Sequence, residues 1–376
     1  MNTIRLAAVQ ASAPFLDVEG SVERACELIR EAGARGARIV GFPEGFVPGH
    51  PYWYHFVPAT GATSRKFALR LWQNALEIPG RHLDALCKAA KKARTYVVIG
   101  CCERAASAGT LYNSQLFINA EGALVAKHQK LVPTHAERVV HTQGLRGHAV
   151  ATMSTEWDFP VGGLICGEHF NPLARFSLMA AGERVHVASW PANFSAGGHG
   201  KMSEAKNFAA RAHAHEAGSF VINAAGVLSD AMVEELAATG IGLDAIGSRG
   251  GGSSIIDPVG QYLAGPAGEE ETILYADADR AAALPALLVH DITGHYQRAD
   301  VFQLTINSDD PSLVRENRGL APMAKNPMAN KAATTARSEP DSGAADGDGG
   351  PAANGSRSSG NVGADRVAGE AGTWGE

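Results

Sequence analysis

The chain has 376 residues, 45% of them hydrophobic, which is ample for one large core or two ordinary ones. A formal net charge of -6, with Lys and Arg scattered rather than striped, provides no field for a phosphate backbone, so nucleic acid is not expected as a partner. The opening MNTIRLAAVQ lacks the apolar core of a secretory signal, and no later run approaches the roughly 18 apolar residues of a membrane span; a cytoplasmic protein with no membrane partner is expected.

Residues 4–9, IRLAAV, read as a strand. Over 20–34, Val22, Ala25, Cys26, Ile29 and Ala32 recur at helical spacing until Gly33 and Gly36 close the helix. The strand ARIVGF follows and runs straight into Pro43 and Glu44. An aromatic-rich segment, GFVPGHPYWYHF, precedes a helix near 82–93 with Leu83, Leu86, Cys87 and Ala90 on one face, and then the strand TYVVIGCC. LYNSQLFI and ALVAKHQKL flank Asn119-Ala120-Glu121-Gly122, a turn signature whose glycine accepts positive φ, so they form a β-hairpin with Lys130 at its far end. Strand 161–165, helix 172–182 and strand 185–189 repeat the alternation. A helix over 201–217, the strand SFVINAAG and the hairpin GSSIIDPVGQYLAG complete it. The succession implies one α/β layered domain over about 1–310, followed by an extension, 311–376. Beyond Pro322 large apolar residues almost vanish, so disorder is expected from about 323.

The five cysteines, Cys26, Cys87, Cys101, Cys102 and Cys166, are odd in number and contain no C-x-x-C pair, which argues against a disulfide framework or a structural zinc site. Cys26 and Cys87 fall on core faces. Cys166 differs: it ends a short apolar strand, and Pro172 follows where a first helical turn accepts proline, so the thiol sits on a strand-to-helix bend. Such a bend aims backbone N–H groups at a reacting carbon, and a helix N-terminus favours thiolate. A buried structural thiol would fit the same spacing. Glu44 likewise ends a strand on the open side of the sheet, where a partly desolvated carboxylate can act as a base for a thiol; alone it would also read as a loop or capping acid. Lys130 ends another strand, and Pro133 turns the chain so that Glu137 can meet it again; a surface ion pair would look the same.

Taken together, these residues resemble the nitrilase branch of the carbon-nitrogen hydrolases, whose signature is a glutamate, a lysine and a cysteine in that order, each after a strand. FPEGFVPGHPYW around Glu44, KHQKLVPTHAERVVHTQG around Lys130 and CGEHFNPLARFSLMAAGERVHVASWP around Cys166 match its three blocks. LYNSQLFI at 111, VINAAGVLSD at 221 and GHYQRADVF at 294 extend the likeness over nearly all of 4–305. The resemblance implies a four-layer α-β-β-α sandwich that pairs into a homo-oligomer, a dimer or a larger spiral or ring. It also implies a small-molecule nitrile as substrate, Glu44 as general base, Lys130 as the cation for the tetrahedral species, Cys166 as nucleophile and Glu137 as the acid supporting the lysine. Replacing Lys130 is then expected to harm turnover more than folding.

Gly167 stands where many nitrilases carry tryptophan, which removes a large pocket wall but keeps the backbone N–H. His169, three residues after the cysteine, suggests a Cys-His dyad, but that arrangement wants its histidine on a separate element, and His169 reads better as pocket-lining. Trp53, Trp190 and Asn193 are further lining candidates by the sheet-edge argument. No cofactor and no metal are expected: His213 and His215, two apart on a helix, face different ways. An amidase of the same superfamily, using the same residues on a C(=O)–N bond, is the alternative activity; a non-catalytic assembly protein is the alternative class.

Overall fold

The computed structural model describes residues 3–105, 109–192, 202–242 and 248–309. The expected C-terminal extension and its disorder, as well as Asn193, lie outside the described residues.

Two mixed sheets stack face to face. The first runs in the order β13-β1-β2-β4-β5-β6: β1 (Thr3–Gln10), β2 (Ile39–Gly41), β4 (Tyr96–Arg104), β5 (Leu111–Ile118), β6 (Leu124–Gln129) and β13 (Thr272–Asp279), with the short β3 (Leu76–Glu77) beside β4. The second runs β12-β11-β10-β9-β8-β7: β7 (Thr152–Met153), β8 (Val161–Ile165), β9 (Val185–Trp190), β10 (Phe220–Ala225), β11 (Ser254–Ile256) and β12 (Tyr262–Ala264). The strands β8, β9 and β10 pair in parallel, each return passing through a helix: α4 (Pro172–Ala180) and α5 (Met202–Ala217).

Strand alternation distributes the apolar side chains among the layers. On β1, Ala7 and Val9 face α1 (Val18–Ala34) and α3 (Arg81–Ala93), together with Val22, Ile29, Leu83 and Leu86. Leu6 and Ala8 point the other way, into a core between the sheets shared with Val98, Phe117, Val187 and Ile222. Beyond the second sheet, Ala209, Ala210 and Ala214 of α5 cover Ala188, Val221 and Ile256, and Ala174 and Leu178 of α4 cover Leu164. The architecture is therefore the four-layer α-β-β-α sandwich. Polar clamps cross the inner core: Gln115 Nε2 donates to Ser189 Oγ at 2.8 Å, and Ser189 Oγ donates to the Phe42 carbonyl at 2.7 Å.

The hairpin expected at 119–122 forms, with Gly122 at φ +79° and Asn119 N bonded to Ala123 O at 2.9 Å. Elements not anticipated are α2 (Ala62–Asn74), α6 (Asp230–Ala237), α7 (Ala283–His290), β3, β7 and β13. Among the described residues no helix is long and apolar enough to cross a membrane.

Candidate active site

The end of β2 carries Glu44 into a tight turn held between the two sheets. The Glu44 N–H donates to the carbonyl of Trp190 at the end of β9, at 3.2 Å. On the other side the turn rests on Gly100 of β4, where a Cβ would lie 2.4 Å from the Pro43 oxygen and 2.7 Å from the Gly45 nitrogen; only glycine permits this approach. Lys130 leaves β6 with its N–H bonded to Asn113 O at 2.8 Å. Glu137 lies in a 3-10 turn, His135–Val139, closed by a capping box: Glu137 Oε2 accepts from the Thr134 N–H at 2.9 Å while the Thr134 side chain caps the Glu137 N–H.

These three side chains meet. Lys130 Nζ lies 2.7 Å from Glu44 Oε1 and 2.6 Å from Glu137 Oε2, with all three groups buried. Asn113 Nδ2 bridges both acids, at 2.6 Å from Glu44 Oε1 and 2.6 Å from Glu137 Oε1. His141 Nδ1 adds a contact to Glu137 Oε1 at 3.0 Å. Glu44 Oε2, by contrast, is buried with no hydrogen-bond partner among the described residues.

Two carboxylates sharing one ammonium do not titrate alike. Burial raises Glu44 to about 7, outweighing the pull of Lys130, and the charge of Glu137 adds to the rise. Burial works against ionised Glu137 too, but Lys130 and His141 overcome it and hold the group well below the usual carboxylate range. Lys130, disfavoured as a cation by burial, is raised well above its ordinary value by Glu44 and Glu137. The result is a fixed ammonium, a fixed carboxylate and one carboxyl poised near neutral pH.

Cys166 follows β8 directly and opens a 3-10 turn, Cys166–Phe170, with its own φ at +51°. Asn171 then caps α4, its Oδ1 accepting from the Leu173 N–H at 3.0 Å, with Pro172 in the first turn. Burial and then the charge of Glu44 push the thiol up; Lys130 and the adjacent Gly167 N–H oppose them. The thiol therefore stays protonated until a base takes its proton. Glu168 ties this turn to the strand bearing Lys130: Oε1 accepts from the Leu131 N–H at 2.8 Å, and Oε2 from the Ile165 N–H at 2.9 Å and from His128 Nε2 at 2.8 Å. His128 Nδ1 donates to the His148 carbonyl, so both ring nitrogens donate, and Glu168 raises its pKa against the effect of burial.

The lining candidates occupy different settings. Trp53 is fully buried, stacked on Phe67 with ring centroids 5.2 Å apart and edge-on to Phe15 at 6.2 Å, so it packs as core rather than as a cavity wall. Its neighbour Tyr52 reaches the site instead: its hydroxyl accepts from the Ala192 N–H at 3.0 Å, and it lines, with Pro43, His50, Gly226 and Val227, a small cavity that touches Glu44. Trp190 stacks on His169 at 4.8 Å and donates its indole N–H to Asn223 Oδ1. His169 bonds through Nδ1 to the Cys166 carbonyl oxygen at 2.8 Å, facing the backbone of the turn rather than the thiol. A Cβ on Gly167 would lie 2.8 Å from Thr134 Oγ1, which the capping box holds in place. Gly167 is thus fitted to Thr134 and is more than a missing pocket wall.

Several polar groups of the site escaped sequence reasoning. Asn113, His128, His141 and Glu168 carried a signal only as polar residues in otherwise buried runs. Lys206 of α5 is also fully buried; its Nζ bonds to the Gly251 carbonyl, and burial lowers it to about 8 while Cys166 pulls it up. Glu183, His186 and His213 gather with their donor atoms within 4.8 Å of one another. The comparison of His213 with His215 could not anticipate this cluster, because its other members come from β9 and the turn before it.

Residues 5–285 match the family of carbon-nitrogen hydrolases. The chain is 37% identical over 321 residues to an aliphatic nitrilase of Rhodococcus rhodochrous, covering 81% of this chain and 83% of that one. It is 33% identical to an arylacetonitrilase of Aspergillus kawachii, covering 84% and 95%. Its fold is similar to that of a mutant of the Nesterenkonia AN1 amidase from the nitrilase superfamily, with a TM-score of 0.56 at 17% identity over 79% of this chain and 95% of that one. It is also similar to Saccharomyces cerevisiae Nit3, with a TM-score of 0.56 at 20% identity over 79% and 97%. The family match runs through the segments that carry Glu44, Lys130 and Cys166, and with these identities the chain belongs to the carbon-nitrogen hydrolase family, as a hydrolase acting on carbon–nitrogen bonds.

Proposed function

We propose that this chain is a nitrilase that converts a small nitrile and two waters to a carboxylic acid and ammonia, with Cys166 as nucleophile, Glu44 as base, Lys130 as stabilising cation and Glu137 as its support. Glu44 takes the thiol proton and the sulfur adds to the nitrile carbon; the nitrogen takes up that proton, giving a thioimidate. A first water, deprotonated by Glu44, adds to the same carbon, and the C–N bond breaks with release of ammonia to leave a thioester. A second water frees the acid and returns the proton to sulfur. Lys130 and the Gly167 N–H face the charge that develops at the carbon's substituent, contacts of a kind that contribute on the order of 3 kcal/mol per donor in other enzymes.

The observation that carries this reading is the buried contact of Lys130 with both Glu44 and Glu137, with the Cys166 thiol in the same field. A nitrile rather than an amide as substrate is supported by the relatives named nitrilases at 33–37% identity. The experiment is a panel of aliphatic and aromatic nitriles beside the matching amides, with acid, amide and ammonia all measured. Ammonia and acid from nitriles support the proposal; turnover of amides alone would make the protein an amidase. Exposed Leu284, Leu288 and Val289 on α7 support a homo-oligomer, which sizing of the full chain tests.

A further inference from the structure

Behind the Cys166 turn lies a file of four buried titratable groups that the reaction above leaves unused. From the Cys166 carbonyl oxygen the file runs to His169 Nδ1 at 2.8 Å, from His169 Nε2 to His186 Nε2 at 2.9 Å, from His186 Nδ1 to Glu183 Oε2 at 3.0 Å, and from Glu183 Oε1 to His213 Nε2. The members come from separate elements: the turn after β8, strand β9, the turn before β9, and α5. Glu183, His186 and His213 are wholly inaccessible to solvent.

Counting protons fixes the state of this file. Each of its four contacts needs one hydrogen. The carbonyl oxygen only accepts, so His169 carries hydrogen on Nδ1. Three neutral imidazoles supply three hydrogens and a carboxylate none, which would leave two lone pairs facing each other at one contact. It would also leave Glu183 as a buried charge with no counter-charge within the file. A fourth proton resolves both faults at once.

Burial and then the charge of His213 drive His186 toward the neutral ring, to about 4, against the pull of Glu183, while His186 and His213 overcome burial to draw Glu183 down to about 2. Neutral rings beside an ionised carboxylate would produce the facing lone pairs, so the geometry requires the fourth proton; a protonated Glu183 would close the same four contacts, and the greater basicity of imidazole, with the lowered Glu183, assigns the proton to the His169–His186 pair against the burial that lowers both rings. Among the described residues the other charged group facing the file is Arg175 of α4, itself bridged to Glu216 of α5.

We propose that His169, His186, Glu183 and His213 are positioning residues: one shared proton locks them into a relay that fixes the Cys166 carbonyl and, through it, the aim of the thiol and of the Gly167 N–H. Cys166 is a non-glycine residue at φ +51°, a conformation that persists only when its surroundings impose it. The relay supplies that imposition from beneath the sheet. The proposal rests on the reading of Cys166 as nucleophile.

Glu183→Gln is the discriminating variant. Its amide N–H donates to His186 Nδ1 and its carbonyl accepts from His213 Nε2, so all four contacts close with neutral rings and no extra proton. His186→Phe opens the file in its middle and should lower kcat on the order of 100-fold with KM little changed. Nitrogen-15 spectra of histidine-labelled protein at pH 8 should contain one doubly protonated ring besides His128 in the wild type, and that signal should vanish in E183Q. Wild-type kcat in a folded His186→Phe variant, only neutral rings besides His128, or one zinc bound per chain at Glu183, His186 and His213 would each overturn the relay. If His186→Phe fails to fold, the spectra of wild type and E183Q decide alone. A Cys166→Ala variant that still hydrolyses nitriles would instead sink the nucleophile assignment, a result the spectra do not depend on.

Discussion

Glu44→Gln separates the charge of Glu44 from its shape. The amide oxygen keeps the contacts of Oε1 with Lys130 and Asn113, and the amide nitrogen takes the place of Oε2, which has no partner. Raising the carboxyl from 4.5 to about 7 means that ionising it inside the fold costs on the order of 3 kcal/mol. The sign follows from linkage. A carboxyl raised in the folded state contributes stability that is fully present below about 4.5 and is lost as the pH climbs through about 7. The glutamine variant has no such loss, so its stability relative to wild type should rise by about 2–3 kcal/mol between pH 5 and pH 8. It starts from a deficit of about 1–3 kcal/mol for the stranded amide donor. Urea unfolding followed by tryptophan fluorescence at the two pH values reads this difference. Ammonia release from a nitrile should meanwhile fall by roughly 10²–10⁴, the usual contribution of a general base. A stability difference that stays flat from pH 5 to pH 8, or a variant that keeps its turnover, would refute the reasoning.

In the wild type, kcat/KM should rise with pH through about 7 as Glu44 becomes a base, and Asn113→Leu, which removes a hydrogen bond that lowers Glu44, should move that limb to higher pH in a pH–rate profile. Lys130→Gln should lose turnover and also destabilise the fold, by about 3–5 kcal/mol in chemical denaturation, because two buried acids lose their shared cation. Gly167→Ala should cost about 1–3 kcal/mol by the same assay, since its Cβ meets the capped Thr134 Oγ1 at 2.8 Å.

The strands, and the places of Glu44, Lys130 and Cys166 at their ends, were legible because each signal is local. IRLAAV, TYVVIGCC and LYNSQLFI are apolar runs bounded by turn residues, and Glu44, Lys130 and Cys166 each end such a run. What stayed hidden is what depends on distant partners. Strand β13 is only half-buried and gains its place from the antiparallel ladder with β1, which lies at the other end of the described chain. In the aromatic segment after Glu44 sequence reasoning favoured Trp53 for the pocket, but tertiary packing sends Trp53 into a core with Phe15 and Phe67 while the Tyr52 hydroxyl turns to the site. His186 and His213 read as ordinary residues of a strand and a helix; His186 lies three residues after Glu183, and only the docking of α5 brings His213 to the same carboxylate.

The three buried acid systems around Cys166 differ in how their charge is met, and the difference assigns their tasks. Glu168 has two backbone N–H groups and His128, so it stays ionised and ties the strand of Lys130 to the cysteine turn. Glu137 has Lys130, Asn113, His141 and the Thr134 N–H distributed over both oxygens, and it stays ionised as a fixed counter-charge. Glu44 has partners on one oxygen only and shares its ammonium with a better-satisfied acid. Its basicity near neutral pH is therefore a product of what it lacks. A further donor on Glu44 Oε2 would satisfy the carboxylate and lower its pKa, and in doing so would weaken the one group available to take a proton from a thiol that burial keeps protonated.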